Sequence, residues 1–489
     1  MQKYRTGPAG TGTALIALGG ASVILAGCQS YQSRPLDLAA HREAWQARSP
    51  GDEPVRAFAD SLNQVGEKSA FDLTDGLSLS EAEVVALVYN PELRLARLRA
   101  GIASTTAEHA GLWEDPQLGV DFLTLIEGGS NPYVITPGLA FTIPISGRLE
   151  AEKARADASA RAELTRVAEQ EWQTRLDVRR AWLVWSASRL KVQQTEMLLE
   201  SIRSLEMSAT SLAEAGEILR TEAALFTIEL ATLRRALLMY QGEEAEAEQE
   251  LRTMLGLSPE ASLALAPSAV FDADTGYFTP EHAASQSLKL AVLRDDYEVA
   301  EQTLRREVRK QYPDLTIGPL AEFDRSDTLL GFSLALPIPI LNANRQGIAE
   351  AHAKRELARA TFETAYERLV GSLASTQARL DTQRGQREMI ESDIVPLVDR
   401  QLADAQNLLQ LGEGGSLVLL ESLTRVADTQ MALIDARLGE SIACAELAWL
   451  AGPPASTAAD LSNTETHTPG KAEAAPVTDE GDNAREVTP

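Results

Sequence analysis

The chain has 489 residues, with 45 Lys and Arg against 71 Asp and Glu and a formal net charge of −26. A surface this acidic excludes nucleic acid as a partner, because phosphates demand a basic face. Two cysteines allow neither a disulfide framework nor a thiolate metal site.

The first elements are read in chain order. Lys3 and Arg5 precede a short apolar run, Ala14 to Ala26, broken by Gly19 and Gly20. The run ends in Leu25-Ala26-Gly27-Cys28, small residues directly before a cysteine. This predicts a lipoprotein signal peptide over 1–27, cleaved before Cys28, with the Cys28 thiol acylated. An ordinary signal peptide is the competing reading; a spanning helix would need about 20 apolar residues. Gln29 rather than Asp follows the cysteine, which favours the outer membrane over inner-membrane retention. Residues 28–77 carry scattered apolar residues and read as an N-terminal periplasmic extension. Residues 453–489 are rich in Ala, Thr, Glu and Pro and read as a disordered tail.

Between these flanks the chain is written twice. Gly138–Ile145 corresponds to Gly331–Ile338, an offset of 193, and Ala215-Gly216-Glu217 to Leu411-Gly412-Glu413, an offset of 196. Leu93–Ala96 matches Leu288–Ala291 in the same order. The repeats span 78–256 and 286–452, joined by a linker over 257–285 that contains Pro259, Pro267 and Pro280. Each repeat reads as helix, two strands, very long helix, turn, long helix.

The strands alternate bulky with small residues. Leu118, Val120, Phe122 and Ile126 lead to Leu139, Phe141 and Ile143; Leu315 and Ile317 lead to Leu330, Phe332, Leu334 and Leu336. Such period-2 patterning suits a membrane barrel, in which about 9–11 residues cross the bilayer. Two hairpins on a soluble core would share it. The helices are too long for a compact globule. Ser146 to Ala213 has no proline and one glycine, and at about 1.5 Å per residue spans roughly 100 Å. The matching stretch, Asn344 to Leu411, is interrupted only by Gly347, Gly371, Gly385 and Pro396. In the return helix Leu417, Leu420, Thr424, Ala427, Met431, Ile434 and Leu438 form one stripe, and Leu419, Leu423, Val426 and Leu433 a second. Two stripes require packing on both sides, as in a four-helix bundle, a coiled coil, or a ring of helices around a channel. Four strands cannot close a barrel and open edges are not tolerated in lipid, so three chains supplying twelve favour the ring.

Over residues 78–452 the chain resembles the TolC-type outer-membrane factors. The resemblance rests on the duplicated plan, Asn90-Pro91-Glu92-Leu93 opening the first repeat, proline at the ends of the second and fourth strands, and glycine turns at 216 and 412. Leu336-Pro-Ile-Pro-Ile-Leu-Asn-Ala-Asn-Arg-Gln-Gly347 is similar to a pattern of the cobalt–zinc–cadmium efflux branch, and Ile143-Pro-Ile-Ser-Gly-Arg148 to a worn version of its first-repeat counterpart. The resemblance implies a mainly α fold with a small β part: a trimeric α-barrel in the periplasm and a twelve-stranded transmembrane β-barrel, four strands per chain. It implies an efflux exit duct in the outer membrane, lipid-anchored, with heavy-metal cations as one substrate class. Its partners would be two further copies, a periplasmic adaptor (membrane fusion) protein, an inner-membrane transporter of the RND type, and outer-membrane lipids.

The same resemblance places adaptor docking at the helix turns, Gly216 and Glu217 in one repeat and Gly412 and Glu413 in the other. It places a pore constriction at Val418 and Glu421, where family members often carry two acids, and matches Glu222 to the first-repeat pattern. A solvated helix face is the plainer reading for each acid. No nucleophile motif, phosphate loop or metal-ligand cluster is evident, and His41, His109, His282, His352 and His467 are far apart. The sequence therefore predicts neither an enzyme nor a bound cofactor. Cys444 lies in an apolar helical run and reads as a buried small hydrophobe. The alternative function is a lipid-anchored periplasmic coiled-coil scaffold or adaptor without a channel.

Overall fold

The computed structural model describes residues 31–65, 71–124, 133–267, 278–324, 327–411 and 415–453. Cys28, Ile126, Gly412, Glu413 and the tail beyond residue 453 lie outside the described residues. The chain divides into two compact units, Met1–Ala47 and Arg48–Pro489. In the first, helix α1 (Leu38–Gln46) begins at Asp37, whose carboxylate accepts the Ala40 N–H at 3.0 Å.

The second unit opens with α2 (Glu53–Val65) and α3 (Leu79–Tyr89). Ser78 and Glu81 form a capping box at the start of α3, satisfying orphan amides at both ends of the motif. The first repeat follows as α4 (Pro91–Glu108), β1 (Gln117–Thr124), β2 (Tyr133–Ile143), α5 (Arg148–Ala215) and α6 (Arg220–Met254). A short helix α7 (Pro280–Gln286) precedes the second repeat: α8 (Leu288–Arg309), β3 (Leu315–Asp324), β4 (Asp327–Ala335), α9 (Arg345–Met389), a π-helical turn (Ile390–Ile394), α10 (Val395–Gln410) and α11 (Ser416–Ala451). The duplicated order expected from sequence is the observed one. The Asn-Pro-Glu-Leu opening is a helix cap with a long-range tie. Asn90 Oδ1 accepts the Glu92 and Leu93 amides, Pro91 sits where no amide partner is needed, and Asn90 Nδ2 donates to Met254 O at 2.9 Å.

The four strands form one antiparallel sheet in the order β1-β2-β3-β4. Directly paired residues share a face, so the register sorts the side chains. Leu118 faces Leu139, and Phe122 faces Ile135, which faces Phe323. Phe141 faces Ile317, Ile317 faces Leu334, and Pro319 faces Phe332. That face is apolar across all four strands and largely exposed in the single chain. The opposite face carries mostly small and polar residues: Gly119 opposite Gly138, Thr142 opposite Thr316, Gly318 opposite Ser333. A soluble hairpin pair would bury its apolar face on its own core; among the described residues this sheet has no such cover. The outer edges of β1 and β4 have no strand partner among the described residues.

The long helices repeat this arrangement. α5 lies between α6 and α11, and α11 packs in turn against α9 and α10. The helices thus form an arc whose edges are α6 and α9–α10. Both edges expose apolar side chains, Leu225, Ile228 and Met239 on α6, and Met389, Leu397 and Leu408 on α9–α10. The single long helix α5 is unbroken for 68 residues. Its counterpart is not, and Pro396 is the reason. Proline has no amide to give and its ring would press on the carbonyl of residue 392, so the backbone widens to a π turn just before it. Glu391 in that turn is held by Arg387 at 2.7 Å and by Arg437 of α11 at 2.6 Å, which ties the irregular turn to its neighbour.

The main core sits where α2 and α3 cover α5 and α6. Trp182 and Trp185 of α5 meet edge to face at 5.5 Å, packed with Val84, Val85, Leu251 and Leu257. The linker joins this core: Leu77 N–H donates to Ala264 O at 2.7 Å, and Ala266 N–H to Leu77 O at 3.0 Å. Cys444 is buried in a second cluster with Leu373, Leu380 and Leu447.

The two sheet faces can be tested one residue apart. If the apolar face meets lipid, Phe332→Arg should destabilise the protein in a bilayer by about 2–4 kcal/mol, whereas Ser333→Arg on the opposite face should cost much less. Reversible denaturant titration in lipid vesicles measures both. Equal penalties would contradict the face assignment.

Candidate functional site

The first hairpin tip is built by backbone hydrogen bonding. At the end of α5, Gly216 takes φ +81°, its N–H donates to Ala213 O at 3.2 Å, and the Glu217 N–H donates to Leu212 O at 2.9 Å. This Schellman pair satisfies carbonyls that the helix end would leave bare, and it requires the left-handed residue that glycine supplies. Below the turn, buried Phe226 packs against Ala209, Ala213, Ala223 and Ile218, and Leu420 of α11 joins them. The chain therefore reverses around an apolar plug, leaving Glu217 and Leu219 exposed at the extremity. Glu222 lies in the first turn of α6, with its N–H on Leu219 O at 3.0 Å. In the second tip, Leu411 is exposed and Gly415 occupies the cap position of α11.

Above the tips, α11 presents three kinds of side. The stripe led by Leu419 and Leu433 is buried against its neighbours, and that led by Leu420 and Ile434 is half-buried. A third side, Val418, Glu421, Arg425 and Asp428, is exposed. The Glu421 carboxylate accepts from Arg425 at 2.7 Å, with the two side chains 62 % and 56 % exposed. An i,i+4 pair this open adds only a few tenths of a kcal/mol, but it sets an opposite charge beside the carboxylate. The direction of this side follows from Asp435, two heptads beyond Glu421, which pairs with Lys191 of α5 at 2.6 Å. Lys191 is nine residues past Trp182, half a rotation round α5, and Trp182 packs under α3. Val418, Glu421, Arg425 and Asp428 thus lie on the surface opposite the α3 layer.

At the other end of the long helices, each β-to-α corner uses a left-handed residue held by an acid. In the first repeat this is Gly147 at φ +71°; Asp314 accepts the Ser146 N–H at 3.2 Å and also binds the Arg148 guanidinium. In the second it is Asn344 at φ +51°, whose Nδ2 donates to Glu307 O and Oε2, both at 2.8 Å. A Cβ on Gly347 would come within 2.8 Å of Glu307 Oε2, so the glycine makes room for this contact. Burial alone would raise the Glu307 carboxyl, but hydrogen bonds from Lys310, Asn344 and Arg306 outweigh it and hold the group at about 2.

The expected site residues are thus separated. Gly216 and Glu217 form a tip, while Val418 and Glu421 occupy the side of α11 above the tips. The Arg425 counter-charge was missed in the sequence, although its i+4 spacing was legible there. The Lys191–Asp435 pair joins residues far apart in the chain and left no such signal. Among the described residues no group of three or more His, Cys, Asp or Glu could hold a metal ion, and no helix is long and apolar enough to cross a membrane.

Residues 84–257 match the family model of the outer membrane efflux proteins. The fold matches the outer membrane protein VceC from Vibrio cholerae with a TM-score of 0.63 at 17% identity, covering 76% of this chain and 96% of that one. It matches the Campylobacter jejuni CmeC outer membrane channel at 0.66 and 12% identity, covering 79% and 89%. It matches CusC at 0.65 and 15% identity, covering 87% and 99%. The chain has the fold of the TolC-like outer-membrane factors. No curated protein matches it by sequence. Against this factor fold the Pro-Ile-Pro…Asn-x-Asn…Gly motif acquires a structural role: Asn344 and Gly347 form the second-repeat corner.

Two substitutions test these ends. Gly216→Val should strain the tip by about 1–2 kcal/mol, the cost of a left-handed L-residue. If the tip docks a partner of an efflux system, as proposed below, the variant should impair efflux-dependent growth while the amount and oligomeric state of the protein stay normal; normal growth on a pumped toxin would count against that docking role. The Glu307 carboxyl titrates lower in the fold than its ordinary 4.5, so its contribution to stability is complete above about 4.5 and is lost as pH falls towards about 2. Glu307→Gln should therefore melt lower than wild type at neutral pH, with the gap closing across that window in thermal scans. A gap independent of pH would refute the coupling.

Proposed function

We propose that three copies of this chain form the outer-membrane exit duct of a tripartite efflux system. One observation carries this reading: both layers of the protomer, sheet and helix arc, end in open edges on either side. Three sheets side by side would give twelve strands, an even number within the range of membrane barrels, and would leave no edge in lipid. The same threefold closure would cover the apolar edges of α6 and α9–α10. The apolar sheet face would then meet lipid and the small-residue face the lumen, and the side of α11 bearing Val418 and Glu421 would face the tunnel. The pairing of Glu421 with Arg425 makes this stretch a mixed-charge lining.

The turns at Gly216–Glu217 and Gly412–Glu413 would meet a periplasmic adaptor, which connects to an inner-membrane transporter of the RND type. Acylation of Cys28 would add a lipid anchor to the barrel. Metal cations enter as a substrate class through the Pro-Ile-Pro motif, but its Asn344 and Gly347 have a structural role, so drugs and other small solutes stand equally as cargo. A scaffold or adaptor without a channel is disfavoured by the apolar sheet face, which would have nothing to cover it. Mass measurement in mild detergent should return three copies. A stable monomer or dimer under those conditions would end the duct reading.

A further inference from the structure

The apolar face of the sheet does not stop where strand pairing stops. Ladder pairing in β4 ends at Ala335, opposite Thr316. Leu330, Phe332 and Leu334 lie on the apolar face, and the exposed apolar series continues at the same spacing into Leu336, Ile338 and Ile340, which are 50 %, 74 % and 77 % exposed. Prolines occupy the alternate positions 337 and 339. They restrict the residues before them to extended conformations and remove the amides that an unpaired edge would expose. A bond from Ile340 N–H to Ile338 O, at 2.9 Å, further tightens the ridge. The first repeat has the same bond at Ile145 and Ile143, also 2.9 Å.

The length of β4 suggests why the ridge is apolar. Nine residues at about 3.4 Å rise and about 40° tilt cover roughly 23 Å, short of the apolar band of about 25 Å on membrane barrels. Pairing with β3 ends at Asp324 opposite Asp327, so β4 can gain apolar height only beyond Ala335. At this same end of the sheet lie Trp113, just before β1, and Tyr312, just before β3, both mostly exposed. Arg309 and Arg345 are exposed beside the corners and make no ion pair with another described residue. Apolar ridge, amphipathic aromatics and exposed guanidinium groups within a few residues of one another match the boundary between acyl chains and anionic headgroups.

We propose that Leu336–Leu341, with Trp113 and Tyr312, is a phospholipid-contacting collar seated in the membrane leaflet nearest the long helices. It rests on the reading of the sheet's apolar face as lipid-facing. The collar anchors the junction of strands and helices at a fixed depth, independently of any acyl chain on Cys28.

The test uses the full chain, reconstituted in phosphatidylethanolamine–phosphatidylglycerol vesicles in a Cys28→Ser, Cys444→Ser background. Single spin labels at Ile340→Cys, Ile338→Cys, Phe332→Cys on the sheet face and Leu357→Cys on α9 are compared for collision with oxygen and with a water-soluble nickel chelate. The collar predicts a several-fold higher oxygen-to-nickel ratio at 338 and 340 than at 357, approaching that at 332. If 332 reads lipid but 338 and 340 read water, the collar is wrong and the barrel reading survives. If 338 and 340 are shielded from both reagents, a neighbouring copy or another part of the chain covers the ridge and the proposal is overturned. If 332 itself reads water, the lipid-facing sheet fails first.

Discussion

A backbone amide or carbonyl in hydrocarbon has no water to turn to, and the proposed duct is arranged around that constraint. The chain makes a four-stranded sheet with an apolar face and two unpartnered edges. Among the described residues neither β1 nor β4 has a partner on its outer edge, because both lie at the ends of the sheet order. The helix arc carries the equivalent deficit in another form, with apolar side chains on α6 and α9–α10 left exposed among the described residues. Both layers are therefore left open, and the threefold closure proposed above would complete the two together.

What keeps the layers in register is the pair of β-to-α corners. Each changes the chain's direction at a left-handed residue, and each is tied by an acid from the α8–β3 stretch of the second repeat, Asp314 bonding Ser146 and Arg148 beside Gly147, and Glu307 bonding Asn344. The acids belong to one repeat but serve the corners of both, so the two halves are interlocked at the neck rather than merely adjacent. The Trp182–Trp185 core instead ties the N-terminal helices and the linker to the first repeat, since α2, α3 and the linker all pack on α5 and α6.

The repeats are alike in plan but not in mechanics. α5 runs unbroken, whereas its counterpart is divided by a π turn ahead of Pro396 and held there by Glu391, Arg387 and Arg437. Charge follows the same logic of local compensation. Glu421 has Arg425, Asp435 has Lys191, and Glu446 has Arg180 and Arg379, so an acidic chain still places opposite charges along α11.

Much of this was legible in the sequence because it is periodic and local. The duplication, the alternation of Leu330, Phe332 and Leu334 with Gly331, Ser333 and Ala335, the helix lengths and the turn at Gly216 are all consequences of side-chain spacing or of one residue's backbone freedom. The tertiary structure decided what spacing cannot express. Register placed Leu118, Ile135, Phe323 and Phe332 on one face, since a strand's alternation does not say which side of its neighbour it joins. Packing showed which α11 stripe is buried, because two heptad stripes on one helix are equivalent until neighbours choose between them. It also gave Asn344 and Gly347 their place at a corner, through a contact with Glu307 some forty residues away that no local pattern encodes.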